Sequence, residues 1–384
     1  MGLELSRLTG PVEAMAQGLA RQEKDAQKRV QEAREWLRAF AGREEVLRGQ
    51  AREVEGAIPT DEPLDHVEPL PEIPERFTVI GADGTTIPPD RHGLALYYLI
   101  NIGSLVYRHG TGETPEARSV PHLGYEERDL FEGSMLVSGN LLDVRRDRAE
   151  VAQLADLVEK EAEGPVLALV DGTLLLWVLE NLPAGVREKN VRGYLDQLDR
   201  IRRRGAAVAG FISRPRHAEV VRTLLLARLG DVEKVRQETR GRLPPPDRFL
   251  FAFLPPGARS ACFLSPSKVN QEGYDARGHA VHFFYVNVAR EKEPPVIARV
   301  EVPAWVVRAP DLLSLVHGGV VAQCRIAGEY PYVLARADEL AYISGPERER
   351  LEEMVGTAML RHGLPPTLSP KAFYKSVTRR GRRW

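Results

Sequence analysis

Two short apolar runs in this chain close on the same tripeptide: Phe77-Thr78-Val79-Ile80-Gly81-Ala82 leads into Asp83-Gly84-Thr85, and Val166-Leu167-Ala168-Leu169-Val170 leads into Asp171-Gly172-Thr173. Each run has the length and aliphatic content of a buried strand, and each carboxylate falls where such a strand leaves the core. Taken singly, Asp-Gly is a common turn pair. Duplicated behind matched strands, the two aspartates could instead share a divalent cation, with each glycine letting the backbone turn without a side chain obstructing a phosphate.

The chain has 384 residues, 43% of them hydrophobic, enough for one large domain with insertions or for two smaller ones. The opening Met-Gly-Leu-Glu-Leu-Ser-Arg is followed by a charged segment rather than an apolar one, so no secretory signal is expected; the longest apolar run, Leu174 to Leu179, cannot span a bilayer. A cytoplasmic protein with no membrane contact is the expectation. Cys262 and Cys324 lie far apart with no CxxC spacing, which predicts reduced, buried thiols rather than a disulfide or structural zinc. A net charge of −1 provides no global field for nucleic acid, so any such binding must come from local patches. The candidates are Arg145 to Arg148, including Arg146; Arg200 to Arg204; Arg214 to Arg216; and a tail carrying Arg379, Arg380, Arg382 and Arg383 with no nearby acid.

Pro11 to Ala57 reads as one long helix or a helical pair with a thin apolar stripe, packing either on a partner or on its own domain. A proline-rich connector follows to Pro74. Strands are expected at Thr78 to Ala82, Leu94 to Ile102, Ser104 to His109, Val166 to Val170, Ala207 to Ser213, Phe249 to Phe253, His282 to Ala289 and Ala298 to Val302. Helices are expected at Arg146 to Ala162, Lys189 to Arg204 and Pro346 to Arg361, with a helical, then proline-rich, insertion over Ala218 to Pro246. The order is that of a mixed α/β sheet. Glu150 opens the apolar periodicity of the helix before the second aspartate strand; it is either a surface residue favoured by the helix dipole or a third carboxylate aimed at the sheet's edge. Asp83, Glu150 and Asp171 would make an all-oxygen set suited to magnesium or manganese and to phosphoryl transfer. Phosphate-loop, dinucleotide, zincin and serine-hydrolase signatures are absent.

Four blocks in order resemble the NurA family of nucleases, partners of the HerA hexameric translocase. They are the strand ending in Asp83-Gly84; Asp171-Gly172-Thr173-Leu174, similar to the family's DGSL; Val208 to Pro215, similar to its strand ending in an ISKP-like turn; and Phe283-Phe284-Tyr285 with Val300 to Pro303 and Tyr330-Pro331-Tyr332 before a helix. The resemblance implies a ribonuclease H-like mixed sheet flanked by helices, with 1–58 a helical segment, 59–75 a linker and 76–384 the nuclease domain. It implies a manganese- or magnesium-dependent deoxyribonuclease, a 5′–3′ exonuclease and single-strand endonuclease in DNA end resection and double-strand break repair. A homodimer meeting a HerA-type ATPase is implied as well. Carried over, Asp83, Glu150 and Asp171 hold metal and Tyr330 joins the site. Asp338 stands where the family commonly has a histidine and cannot act as a neutral imidazole. That departure keeps two rivals open: an inactive DNA clamp or adaptor regulating a translocase, and another ribonuclease H-like enzyme acting on junctions or RNA.

Overall fold

The computed structural model describes residues 4–161, 164–241 and 244–364, and within it the chain divides into two compact units. The tail arginines Arg379, Arg380, Arg382 and Arg383 lie outside the described residues.

One unit comprises residues 72–211, 272–279 and the chain from 302 onward. Its strands are β1 (Phe77–Ile87), β2 (Tyr98–His109), β3 (Glu116–Gly124), β4 (Val166–Asp171) and β5 (Ala207–Ile212). Its longer helices are α1 (Asn140–Lys160), α2 (Ala184–Arg203), α3 (Pro310–Ala327), α4 (Tyr332–Ala341) and α5 (Gly345–Arg361). The strand order is β3-β2-β1-β4-β5. β1, β2 and β3 form an antiparallel meander, whereas β1, β4 and β5 run parallel. This is the mixed, ribonuclease H-like sheet expected from the sequence. Val166 to Val170 are all buried, as a central parallel strand covered on both faces requires.

The period of two along a strand assigns the layers. Gly81 and Asp83 share a face with Gly103, which pairs with Asp83, and that face lies against α4. Gly84 points to the opposite face and meets α1. The approach of α4 depends on missing side chains: a Cβ on Gly81 would lie 2.8 Å from the Val333 carbonyl, and one on Gly103 would lie 2.1 Å from the Ala337 oxygen. Both ends of α4 are also held. The Val333 N–H donates to Gln323 Oε1 at 3.0 Å, and Asn101 Nδ2 donates to the Ala341 carbonyl at 3.0 Å, satisfying groups that a helix leaves open.

Gly103 also corrects an expectation. The sequence divides Leu94 to His109 into two strands at this glycine, but Tyr98–His109 is a single strand in which Gly103 makes room for a helix. Asp83-Gly84 likewise makes no turn, because β1 continues to Ile87 paired with β2.

The other unit comprises the chain up to Pro71, Ile212–Gln271 and Ala280–Glu301. The N-terminal segment is a helical pair, Thr9–Ala39 and Glu44–Gln50, and Ala33 and Leu37 enter its unit's core with Val220, Leu224, Phe251, Phe263 and Phe283. The helices Glu219–Leu229 and Val232–Thr239 thus contribute core residues. Strands Val281–Asn287 and Ile297–Pro303 lie close to their expected bounds. Phe249 to Phe253 is not the strand anticipated. A short helix, Asp247–Leu250, begins after the prolines, and Phe251 stacks on Tyr285 with ring centroids 4.8 Å apart. Both cysteines are free and buried. Among the described residues, no helix is long and apolar enough to cross a membrane.

Replacing Gly103 with alanine should force α4 off the sheet and cost about 2 kcal/mol or more. Urea denaturation of the variant checks this; an unchanged midpoint would show that the helix has room to give.

Candidate active site

The register of two parallel strands gathers the site. Ala82 pairs with Val170, so the following residues, Asp83 and Asp171, lie side by side and project from the same face. Beyond this point the strands separate. Gly172 adopts a left-handed conformation (φ 95°) that turns the chain away, whereas β1 runs straight on. The two identical tripeptides therefore use glycine differently: Gly172 for its backbone freedom, Gly84 for its lack of volume. A Cβ on Gly84 would stand 2.7 Å from Arg146 Cγ and 2.8 Å from Glu150 Oε1. Through that gap Glu150, on α1, reaches the same end of the sheet from the other face.

The electrostatics are those of an anionic cluster short of positive charge. Desolvation raises the Asp83 pKa to about 6, with Asp171 and Asp338 adding to the effect while the Gly84 N–H (2.7 Å) and Arg146 oppose it. Glu150 is buried, and desolvation, reinforced by Asp147, Asp83 and Asp171, lifts its pKa well above the ordinary carboxylate range. Asp171 lies open at the strand end, yet the surrounding protein still desolvates it enough to raise its pKa. Tyr330 donates a hydrogen bond to Asp171 and packs edge-on against Phe211 at 5.5 Å. Desolvation and the Asp171 charge raise the Tyr330 pKa, so the phenol stays protonated at neutral pH. Asp338 sits exposed on α4 and adds negative charge to Asp83, Asp171 and Tyr330.

Arg146 is the cation of this cluster. Its Nη2 donates to Asp147 at 2.9 Å, and its Nε stands 3.2 Å from Glu150 Oε1 without completing a hydrogen bond, leaving both buried atoms unsatisfied. Such an orphaned carboxylate oxygen, beside a gap and among all-oxygen donors, fits a hard divalent cation. Among the described residues, no three metal-ligating side chains converge on one point. The carboxylates are neighbours rather than a finished coordination shell, and closing on an ion requires side-chain movement.

Of the residues singled out by sequence, Asp83, Glu150, Asp171, Tyr330, Asp338 and Arg146 come together. Arg214 belongs to the other unit. Arg200 is committed to Asp156 and Glu159, and Arg145 to Glu132 and Tyr98. Sequence reasoning missed Tyr274, which clamps the loop after Asp171: its hydroxyl donates to the Leu174 carbonyl (2.9 Å) and accepts from the Leu176 N–H (3.2 Å). His279, in the same segment, accepts from Trp305 Nε1 at Nδ1 and so carries its proton on Nε2, 2.8 Å from Asp199 on α2. No sequence signal marks these residues, because their partners are distant in the chain. Asp147, one helical turn before Glu150, was not singled out either, although its spacing from Glu150 on the same helix could have marked it.

With this geometry established, the comparisons identify relatives. The NurA domain family model matches residues 77–343. A crystal structure of the NurA nuclease from Sulfolobus solfataricus is 12% identical, covering 94% of this chain and 98% of that one with a TM-score of 0.53. A NurA structure with manganese is 12% identical, covering 76% of this chain and 91% of that one at a TM-score of 0.40. One bound to dAMP and manganese is also 12% identical, covering 76% and 90% at 0.39. No curated protein sequence matches the chain.

Asp83→Asn should stabilise the metal-free protein at neutral pH. A carboxyl with a folded pKa near 6 and an ordinary value of 3.8 is penalised in the fold once ionised; the cost is absent below about pH 4, grows between pH 4 and 6, and is complete above. The variant should therefore gain about 1–3 kcal/mol at pH 7 and nothing at pH 3.5, measured by denaturation in chelator. A pH-independent difference would contradict the burial argument.

Proposed function

The chain belongs to the NurA family, and we propose that it is a divalent-metal-dependent deoxyribonuclease whose site is built on Asp83, Glu150 and Asp171. The observation that carries this reading is the unsatisfied Glu150 Oε1 within a desolvated group of carboxyls whose pKa values are all raised. Such a cluster stores unfavourable charge that a cation relieves. Manganese or magnesium bound there would lower the pKa of an attacking water and neutralise charge developing on the leaving oxygen of a phosphodiester. Asp83 and Asp171, side by side at the strand ends, supply two oxygens from one face, and Glu150 supplies a third across Gly84. Tyr330 holds Asp171 in place and keeps a donor proton at neutral pH. Arg146 balances part of the charge and keeps Glu150 from being wholly uncompensated. Asp338 offers a carboxylate rather than an imidazole, so it adds to the charge a cation would balance.

Family membership supports the finer reading: 5′–3′ exonuclease and single-strand endonuclease activity in end resection and double-strand break repair, as a homodimer working with a HerA-type hexameric ATPase. A second reading, a DNA clamp or adaptor with weak or no catalysis, is favoured by Asp338, a carboxylate where the family commonly has a histidine. Manganese binding and cleavage distinguish the two.

Asp83→Asn and Asp171→Asn should each reduce manganese-dependent cleavage of single-stranded DNA by about 10²–10⁴-fold, equivalent to about 3–5 kcal/mol, while circular dichroism shows an intact fold. Calorimetry should show manganese affinity lost in both variants and, in the parent, falling as pH drops through about 6, where Asp83 takes up its proton. Full cleavage by either variant would overturn the assignment.

A further inference from the structure

Many arginines in this protein are consumed by acids, as Arg108, Arg200 and Arg299 are. Arg214, Arg216 and Arg248 lie together in the unit that holds residues 212–271, close enough that the first two depress the Arg248 pKa beyond the effect of its burial. Among the described residues, none of the three pairs with an acid, and no carboxylate opposes the lowering of the Arg248 pKa. The acids nearby in sequence turn inward instead. Asp247 accepts from the N–H groups of Val220 and Val221, each at 3.0 Å, and from the Tyr285 hydroxyl at 2.9 Å; Glu219 pairs with the buried Arg299.

The cluster is also built. The Asp247 N–H donates to the His217 carbonyl at 2.8 Å, tying two turns together. Arg248 Nη1 donates to the carbonyls of Arg214 and Pro215, each at 3.0 Å, so main-chain oxygens fix the guanidinium without neutralising it. Arg214 itself holds a left-handed backbone (φ 48°), a conformation that is strained for a residue other than glycine and persists only where surroundings impose it. Arg248 lies over the Phe249 ring at 4.6 Å, and Phe249 as a residue is 42% exposed. One face of the aromatic thus carries a cation while the residue remains open to solvent.

We propose that Arg214, Arg216, Arg248 and Phe249 form a binding site for single-stranded DNA, the guanidiniums taking successive backbone phosphates and the Phe249 ring stacking on a base. Three uncompensated, bidentate-capable cations match a chain of phosphates better than a single anion. An exposed ring beside them supplies the sequence-tolerant contact typical of single-strand binding and offers little to a paired duplex. The inference rests on the deoxyribonuclease reading for its choice of polyanion.

The test is fluorescence anisotropy of the full-length protein with a labelled single-stranded 20-mer in chelator, where cleavage plays no part, over a salt series. Arg214→Gln/Arg216→Gln should weaken binding at least tenfold and lower the slope of log K against log salt by about 1.4, since each phosphate contact on a single strand contributes about 0.7. Phe249→Ala should weaken binding severalfold with the slope unchanged. Arg200→Gln, whose guanidinium is already paired with Asp156 and Glu159, serves as the control and should bind as the parent. Unchanged affinity and slope in the double arginine variant, with an unaltered melting temperature, would overturn the proposal, as would an equal loss in the Arg200 control. Full cleavage by Asp83→Asn would defeat the catalytic assignment instead, leaving this binding result to stand or fall alone.

Discussion

Everything at the candidate site follows from the in-register parallel pairing of Ala82 with Val170. A slip of one residue would turn Asp83 and Asp171 to opposite faces of the sheet and dissolve the cluster. Register is fixed because β4 is buried on both sides: Leu167, Ala168 and Leu169 have no exposed surface, so no alternative pairing keeps the same side chains inside. Burying such residues contributes about 1.5–3 kcal/mol for each large one. That contribution offsets the cost of crowding Asp83, Glu150 and Asp171 where water cannot fully solvate them. The core therefore holds a charge arrangement that would not assemble by itself.

Glycines decide how closely the helices approach that strand end. Gly81 and Gly103 admit the α4 backbone, which places Asp338, while Gly84 admits the side chains of Arg146 and Glu150 from α1. The sheet is consequently thin where the carboxylates meet, and groups on opposite faces act on one another through it. Glu150 feels the charges of Asp83 and Asp171 although it belongs to a different layer. Gln323 and Asn101 then fix the two ends of α4, so the distance between layers is set by hydrogen bonds as well as by packing.

How much of this the sequence revealed depended on how local each signal was. Asp83 and Asp171 were legible because a buried strand and the residue that ends it are neighbours in the chain. Glu150 was legible only in part, because helical periodicity from Val151 onward left it either a surface residue or a carboxylate aimed at the sheet's edge, and the resemblance chose between them. Gly84 was read as a turn, since Asp-Gly carries that preference locally, and only the packing of α1 shows that it serves to make space. Gly103 misled for the same reason. The edge strand Glu116–Gly124 escaped notice because most of its residues are exposed and it contains Pro121, so it lacks the apolar alternation of a covered strand. Tyr274 and Arg248 were invisible as site elements, because the carbonyls that hold their roles in place, Leu174 and those of Arg214 and Pro215, lie far away in sequence.

A chain with a net charge of −1 cannot attract a polyanion through its overall field, so charge must be separated within it. Separation is achieved by side-chain commitment rather than by composition. Arginines such as Arg108, Arg200 and Arg299 are each bound by carboxylates, which removes them from long-range electrostatics. Asp247 and Glu219 are drawn inward by N–H groups and by Arg299, which leaves Arg214, Arg216 and Arg248 uncompensated on the outside. The carboxylates of the strand ends are the converse case: among the described residues, Arg146 is the cation that acts on Asp83, Glu150 and Asp171, and their raised pKa values record the deficit. A phosphodiester brings negative charge that the first group lacks and the second repels. On the proposed function, the second would accept it only after a cation had closed the deficit, so metal occupancy would be a precondition for substrate at the carboxylates and irrelevant to binding at the arginines.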